Sequence, residues 1–189
     1  PQPPPPQPPP QHSSNSQNSS QNSAENTAQP PPAPTEKAGR FIASFKIGPA
    51  ICLYNCFHQG SILLELGYSV LPNKNAYLLL PVQFQFAPAG SAVMVPLGFQ
   101  YDLEVSRVPG LYFYPRISVG YALFIDNVGA GTPTTHGGVL IPEFGVKYVR
   151  NGRFNIGGEF FSLPVLFGAL PGGNVQLFYR IMLSVGVNF

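Results

Sequence analysis

Residues 176–189 read QLFYRIMLSVGVNF and have the pattern of one long β-strand. Every second side chain counted back from the last residue is apolar: Phe189, Val187, Val185, Leu183, Ile181, Tyr179 and Leu177. The opposite parity carries Asn188, Gly186, Ser184 and Arg180. Because side chains alternate between the two faces of a strand, this stretch predicts a strand with one apolar and one polar face.

The chain before it repeats this pattern. From Arg40 onward, segments of about ten to fifteen residues alternate with period two and are separated by Gly, Pro and Asn clusters. The segments are roughly 40–50, 60–71, 76–87, 91–104, 111–125, 139–149, 153–163 and 176–189. None keeps a helical period, so residues 40–189 are predicted to be an all-β domain of eight antiparallel strands.

Residues 1–39 have a different composition. They consist mostly of Pro, Gln, Ser, Asn and Ala, without an aromatic or large aliphatic side chain, and are therefore predicted to be disordered. A spacer and a ligand for a proline-binding partner are both compatible with this composition. The tail has no apolar stretch of the kind found in signal peptides, as expected for a mature exported protein or a trimmed chain.

Charge is scarce in the domain. Residues 40–189 carry nine cations and six anions, well below the roughly 25 % of charged residues in soluble domains. The pattern predicts a surface that does not face water. The net charge of +3 is spread over strands and turns, so no basic patch and no nucleic-acid partner are expected.

The lengths of the segments and of their connections predict an up-and-down barrel that crosses a membrane. A tilted strand needs about nine to eleven residues to cross the hydrocarbon, and an open sheet edge would leave unpaired backbone groups there. Short connections (72–75, 105–110 and 150–152) alternate with long ones (51–59, 126–138 and 164–175), and only 88–90 departs from the pattern. An eight-stranded barrel is too narrow to hold the Leu, Phe, Val and Ile set, so that set is predicted to face outward.

Seven ionisable residues have the inward parity: Lys46, Glu65, Arg116, Glu143, Lys147, Glu159 and Arg180. Buried charges must pair, so they predict a network that closes the lumen. A three-residue turn at 150–152 would place Glu143 opposite Glu159. Two facing carboxylates suggest acid/base catalysis, but no nucleophile or metal cluster accompanies them. The prediction is therefore an ion-paired plug, with no enzyme, cofactor or metal.

Three further features carry predictions. Cys52 and Cys56 are spaced for a small disulfide in an oxidising compartment. Prolines inside the segments predict bulges or local breaks, because each removes a ladder hydrogen bond: Pro81, Pro96, Pro115 and Pro142. Outward aromatic residues at one level predict a membrane-interface belt: Phe41, Tyr68, Tyr101, Phe113, Tyr148, Phe154 and Phe189. The inward Tyr77, Tyr112 and Tyr114 at that level are not explained by a belt.

In strand number, loop lengths and charged lumen, residues 40–189 resemble the small eight-stranded bacterial outer-membrane barrels of the outer membrane protein A and X type. The final segment resembles their closing strand, whose signal is read by the barrel-assembly machinery. The residues that carry that signal here are Tyr179, Ile181, Leu183, Val185, Val187 and Phe189.

The resemblance implies a non-enzymatic structural or partner-docking role in the Gram-negative envelope. The barrel would contact outer-membrane lipid, and residues 1–39 would hang in the periplasm, where they can reach peptidoglycan or another envelope protein. The alternatives are a narrow pore for small solutes and a soluble ligand-binding β-barrel.

Overall fold

The computed structural model describes residues 40–71, 73, 75–88, 90–126, 134–170 and 173–189. The predicted disordered tail, residues 1–39, lies outside the described residues. Within them, no helix is long and apolar enough to cross a membrane.

Ten strands form one antiparallel ring. They are β1 (Phe41–Tyr54), β2 (Gln59–Ser69), β3 (Ala76–Ala87), β4 (Gly90–Tyr101), β5 (Leu103–Glu104), β6 (Leu111–Asp126), β7 (Thr134–Arg150), β8 (Phe154–Ser162), β9 (Val165–Leu170) and β10 (Gly173–Asn188). β5 extends β4 along β6, and β9 extends β8 between β7 and β10. The ten strands therefore occupy eight positions around the ring, which confirms the predicted eight-stranded up-and-down barrel.

The ring closes where the first strand meets the last. β1 pairs with β10 from Ile42↔Asn188 to Tyr54↔Leu177. Phe41 and Phe189 exchange two backbone hydrogen bonds of 2.9 Å beyond the ladder. We call the end of the barrel at Phe41 and Phe189 the terminal end, and the opposite end the loop end.

The wall is taller at the loop end than the alternation predicts. β7 begins at Thr134 rather than 139, and β10 begins at Gly173 rather than 176. β9 lies within residues 164–175, where only a loop is predicted, so that prediction was wrong. The added part of β7, residues 134–138, is rich in Gly and Thr and carries no period-two signal, yet the backbone pairing continues through it.

The four strand prolines behave differently from one another. Pro81 and Pro96 lie opposite each other, and the β3–β4 ladder passes from Leu79↔Gly98 to Gln83↔Met94 without a register shift. This is the predicted local break, because neither proline has an N–H to donate. Pro115 and Pro142 instead occupy regular positions of the β6–β7 ladder.

A bulge lies in β8, on the strand next to Pro142. The register of β8 shifts by one residue against both β7 and β10. β8 therefore has one extra residue at Phe160 and Phe161. The shift places Glu143 opposite Ser162. The predicted pairing of Glu143 with Glu159 was therefore wrong: the turn pairs Arg150 with Phe154, which shifts the register by two residues from the prediction, and the bulge adds one more.

The large aliphatic and aromatic side chains of the predicted outward set lie on the outer face of the wall, as predicted. Leu183 is 70 % exposed, whereas its neighbour Met182 is 0 % exposed. Large apolar side chains cover the outside on every long strand. The interior also holds apolar residues that the sequence reading did not assign, and these are described below.

Two adjacent glycines of β8 give a test of the wall packing. A Cβ on Gly157 would lie 2.3 Å from the backbone oxygen of Val146, whereas on Gly158 the nearest atom is the backbone oxygen of Met182 at 3.2 Å. We expect Gly157→Ala to lower the free energy of unfolding by about 1–3 kcal/mol, the usual cost of overpacking. Gly158→Ala should change it much less. The urea midpoints of the refolded variants measure both, and equal midpoints would contradict the close approach of β7 and β8.

Candidate functional site

The barrel interior contains eight buried Lys, Arg, Asp and Glu side chains, four cations and four anions. They are Lys46, Arg116, Lys147, Arg180, Glu65, Asp102, Glu143 and Glu159. Seven are the residues singled out in the sequence, and the eighth is Asp102. Asp102 has the same parity as the buried Gln100, which is the signal that could have identified it. With Asp102 included, the interior charges sum to zero.

Six of the eight form one central cluster. Lys46 Nζ lies 2.5 Å from Glu159 Oε1 and 3.3 Å from Glu65 Oε1. Arg116 contacts Glu65 through its NH1, and its Nε lies 2.7 Å from Glu143 Oε2. Each carboxylate therefore lies against at least one cation, which offsets part of the cost of its burial.

The remaining charges extend the cluster towards β8 and β10. Arg180 contacts Glu143 through its NH2, and the same atom is 4.0 Å from Glu159 Oε2. Serine hydroxyls supply further donors: Ser44 to Glu65 at 3.0 Å and Ser162 to Glu143 at 3.2 Å. Glu143 and Glu159 are thus joined through arginines, and they do not face each other as a carboxylate pair.

Lys147 belongs to a separate group nearer the terminal end. Its Nζ is 2.6 Å from Asp102 Oδ2, so it does not pair with Glu143 or Glu159. The same ammonium lies 4.9 Å from the ring centroid of Tyr77 and 5.9 Å from that of Tyr114. These cation–π contacts explain why Tyr77 and Tyr114 point inward at the level of the belt.

An apolar cluster fills the interior on the loop side of the charges. It consists of Ala50, Ala92, Met94, Ala122, Phe124, Val139, Ile141, Leu166 and Phe178. Cys56 packs against it and forms the predicted disulfide with Cys52, at a Cα–Cα distance of 5.4 Å. The first loop is thereby held against the interior at the loop end.

Free space is small on the terminal side of the charges. A cavity of about 10 Å³ lies there, lined in part by Lys46, Glu65, Tyr114 and Lys147. This volume is enough for about one water molecule. The described residues contain no group of three or more His, Cys, Asp or Glu placed to hold a metal ion.

The outer surface carries aromatic residues at two levels. At the terminal end six of the seven belt residues are exposed, and Tyr101 is half-buried. Phe41 contacts Tyr68 and Phe189 at ring distances of 5.1 and 5.8 Å. A second level, which the sequence reading missed, lies at the loop end: Phe57, Phe86, Tyr121 and Phe167.

The residues of the proposed assembly signal lie on one outer face of β10. Ile181, Leu183 and Val185 are exposed there, and Phe189 ends the strand beside Phe41. Their recognition by assembly machinery stays a prediction.

Comparison with known proteins identifies the fold. No family model and no curated protein sequence match the chain. Among solved structures, the N-terminal β-barrel domain of Pseudomonas aeruginosa OprF is similar, with 15 % identity and a TM-score of 0.56 over 80 % of this chain and 98 % of that one. Neisserial surface protein A (NspA) is similar with 13 % identity and a TM-score of 0.64, over 79 % of this chain and 96 % of that one. OprG from Pseudomonas aeruginosa gives 14 % identity and a TM-score of 0.50, over 82 % and 97 %. The chain therefore has the fold of small outer-membrane β-barrels.

Glu159→Gln tests the central cluster. The substitution leaves three cations against two anions in a buried site, and removing one partner of a buried pair typically costs about 3–5 kcal/mol. We expect a lower urea midpoint and earlier loss of the compact band in heat-modifiable gel migration.

Two controls separate charge pairing from general damage. The double variant Lys46→Met, Glu159→Gln restores neutrality, so its loss should be smaller than the sum of the two single losses. Glu104→Gln removes an exposed carboxylate and should change stability by less than about 0.5 kcal/mol. Wild-type stability in Glu159→Gln would refute the structural role of the cluster.

Proposed function

We propose that the protein is an integral barrel of the bacterial outer membrane with a structural or partner-docking role and no enzymatic activity. The observation that carries the proposal is the distribution of side chains. The exterior is apolar between two aromatic levels, and the interior is charge-neutral and packed. A soluble ligand-binding barrel would have the opposite arrangement, with apolar side chains inside and a charged exterior.

Two layers of interior side chains support a closed lumen. The central cluster crosses the axis by linking β1, β2, β6, β7, β8 and β10. On its loop side, Phe124, Ile141, Leu166 and Phe178 pack together in the apolar cluster. An ion entering from the loop end would have to lose its hydration in the apolar layer and then displace an ion pair, and both steps are costly.

In the proposed orientation the terminal end faces the periplasm. Residues 1–39 would then extend from Arg40 into that compartment, where the tail docks peptidoglycan or an envelope partner. The Pro- and Gln-rich composition supports this role, because such segments bind partners without a core of their own.

A narrow pore is the second candidate, and one feature favours it. Gln59, Gln83 and Gln85 line the loop half of the interior along β2 and β3, beside the apolar cluster. Gln83 donates to Ser61 Oγ at 3.0 Å, but the amide oxygens of all three glutamines have no hydrogen-bond partner among the described residues. These amide groups would stabilise water molecules alongside the apolar cluster.

Conductance in planar bilayers separates the two functions. We expect the purified barrel to pass almost no current in 1 M KCl, because the charged and apolar layers block the axis. Steady single-channel steps that are lost in Gln83→Leu, Gln85→Leu would support the pore and overturn the closed lumen. Flotation of the protein with lipid vesicles, compared with recovery in detergent-free buffer, tests membrane integration independently.

A further inference from the structure

Among the side chains whose burial the structure describes, the exposed Lys, Arg, Asp and Glu residues are all at one end of the barrel. They are Arg40, Glu104, Arg107, Arg150 and Arg153. Each lies at the terminal end, in a turn or at a strand terminus. The expectation of no nucleic-acid partner stays a prediction. The interior charges cancel one another, and folding brings the remaining arginines together at one rim, which we call the basic rim.

The four arginines of the basic rim are free to bind an external anion. No salt bridge joins any of them to a carboxylate of the described residues. Arg150 and Arg153 flank a tight turn in which the Arg153 N–H donates to the Arg150 carbonyl at 3.2 Å. Asn151 and Gly152, between them, have positive φ angles of 52° and 66°, the geometry of a two-residue Asn-Gly turn. The turn holds both guanidinium groups at the rim.

The basic rim directly adjoins the outward aromatic belt. Arg40 precedes Phe41, Arg150 follows Tyr148 by two residues, and Arg153 precedes Phe154, which is 65 % exposed. At about 3.3 Å per strand residue, the guanidinium groups lie within several ångströms of the aromatic level. Aromatic side chains of this type mark the depth of lipid headgroups, and long arginine stems can reach along that boundary.

We propose that the basic rim binds the phosphate groups of anionic phospholipids in the leaflet at the terminal end. This inference rests on the proposed membrane location. A guanidinium group matches a phosphate in charge and can donate two hydrogen bonds to it. The basic rim is continuous with the aromatic belt. This favours a lipid headgroup as the ligand, because neither a free anion nor a soluble polymer would need the adjoining apolar surface.

The composition of the loop end restricts the proposed phospholipid binding to one leaflet. At the loop end, the side chains whose burial the structure describes include no exposed Lys, Arg, Asp or Glu, and the exposed residues there include His58, His136, Phe57 and Phe86. A phosphate-rich surface would therefore gain from contact with the terminal end alone.

The experiment uses the absence of Trp from the chain. Phe154→Trp supplies a single fluorophore beside Arg153 and is made in the full chain. The protein is reconstituted in mixed phosphatidylcholine and phosphatidylglycerol vesicles, with bromine on the acyl chains of one lipid at a time. The ratio of quenching by brominated phosphatidylglycerol to that by brominated phosphatidylcholine gives the relative association constant.

We expect phosphatidylglycerol to be preferred at low salt. The preference should fall about fivefold for each arginine removed, so Arg150→Gln, Arg153→Gln should lower the ratio about 25-fold. Glu104→Gln is the matched control at the same rim and should raise the preference, because it removes an anion. Salt at 0.5 M should weaken the preference in all variants, and least in the double one.

The outcomes distinguish this inference from the proposed function. Equal quenching by both brominated lipids in the unsubstituted rim would overturn the lipid site while leaving membrane insertion intact. No quenching by either lipid would overturn membrane insertion itself. Loss of the preference in inorganic phosphate, but not in chloride of equal ionic strength, would assign the rim to free phosphate and overturn the lipid assignment.

Discussion

The structure depends on pairing every backbone amide of the wall. Inside hydrocarbon an unpaired N–H or C=O has no water to bond, so a sheet that crosses a membrane must have no edge. The pairing of β1 with β10 meets this requirement, because it joins the first and the last strand of the described sheet and closes the ring. Continuous pairing also explains why β6 and β7 stay paired where the side-chain pattern fades.

Closure with eight positions fixes what can be inside. The circumference is too small for the bulky set to point inward, so alternation sends most Leu, Phe and Val side chains out. The narrow interior is left with charges that cannot be hydrated individually, and their arrangement in two neutral groups follows from that cost. Charge neutrality inside leaves the excess arginines on the rim, so the interior network and the basic rim have one origin.

The features that are predicted well from the sequence are those that depend on the alternation of side chains with a period of two. The outward set, the eight positions, the closing strand, the terminal-end aromatic belt and the inward seven charges can all be read from alternation, and the disulfide from the spacing of Cys52 and Cys56. Alternation is less informative where both parities are apolar, as at Phe178 and Met182 of β10. The interior apolar cluster was missed for that reason.

Register and extent are harder to predict. The extra residue at Phe160 and Phe161 has no signature, since both side chains suit an outer surface, yet it moves the partner of Glu143 from Phe161 to Ser162. The position of the β7–β8 turn accounts for the other two residues of the shift from Glu159. Asp102 was missed because it follows the end of β4, where the alternating segment is about to stop. β9 was missed because its sequence, VLFGAL, lies between Pro164 and a Gly-rich stretch that is typical of a loop.

Spin-label accessibility along β10 tests directly whether the apolar face of the closed barrel lies in lipid. Single cysteines at residues 181 to 187, in a Cys52→Ser, Cys56→Ser background, would carry nitroxides in lipid vesicles. With the odd-numbered side chains in lipid, the collision rate with dissolved oxygen should oscillate with period two and peak at 181, 183, 185 and 187, while a water-soluble nickel chelate should reach none of these. Peaks at 182, 184 and 186, or high access of the chelate to the odd positions, would contradict a closed barrel with its apolar face in lipid.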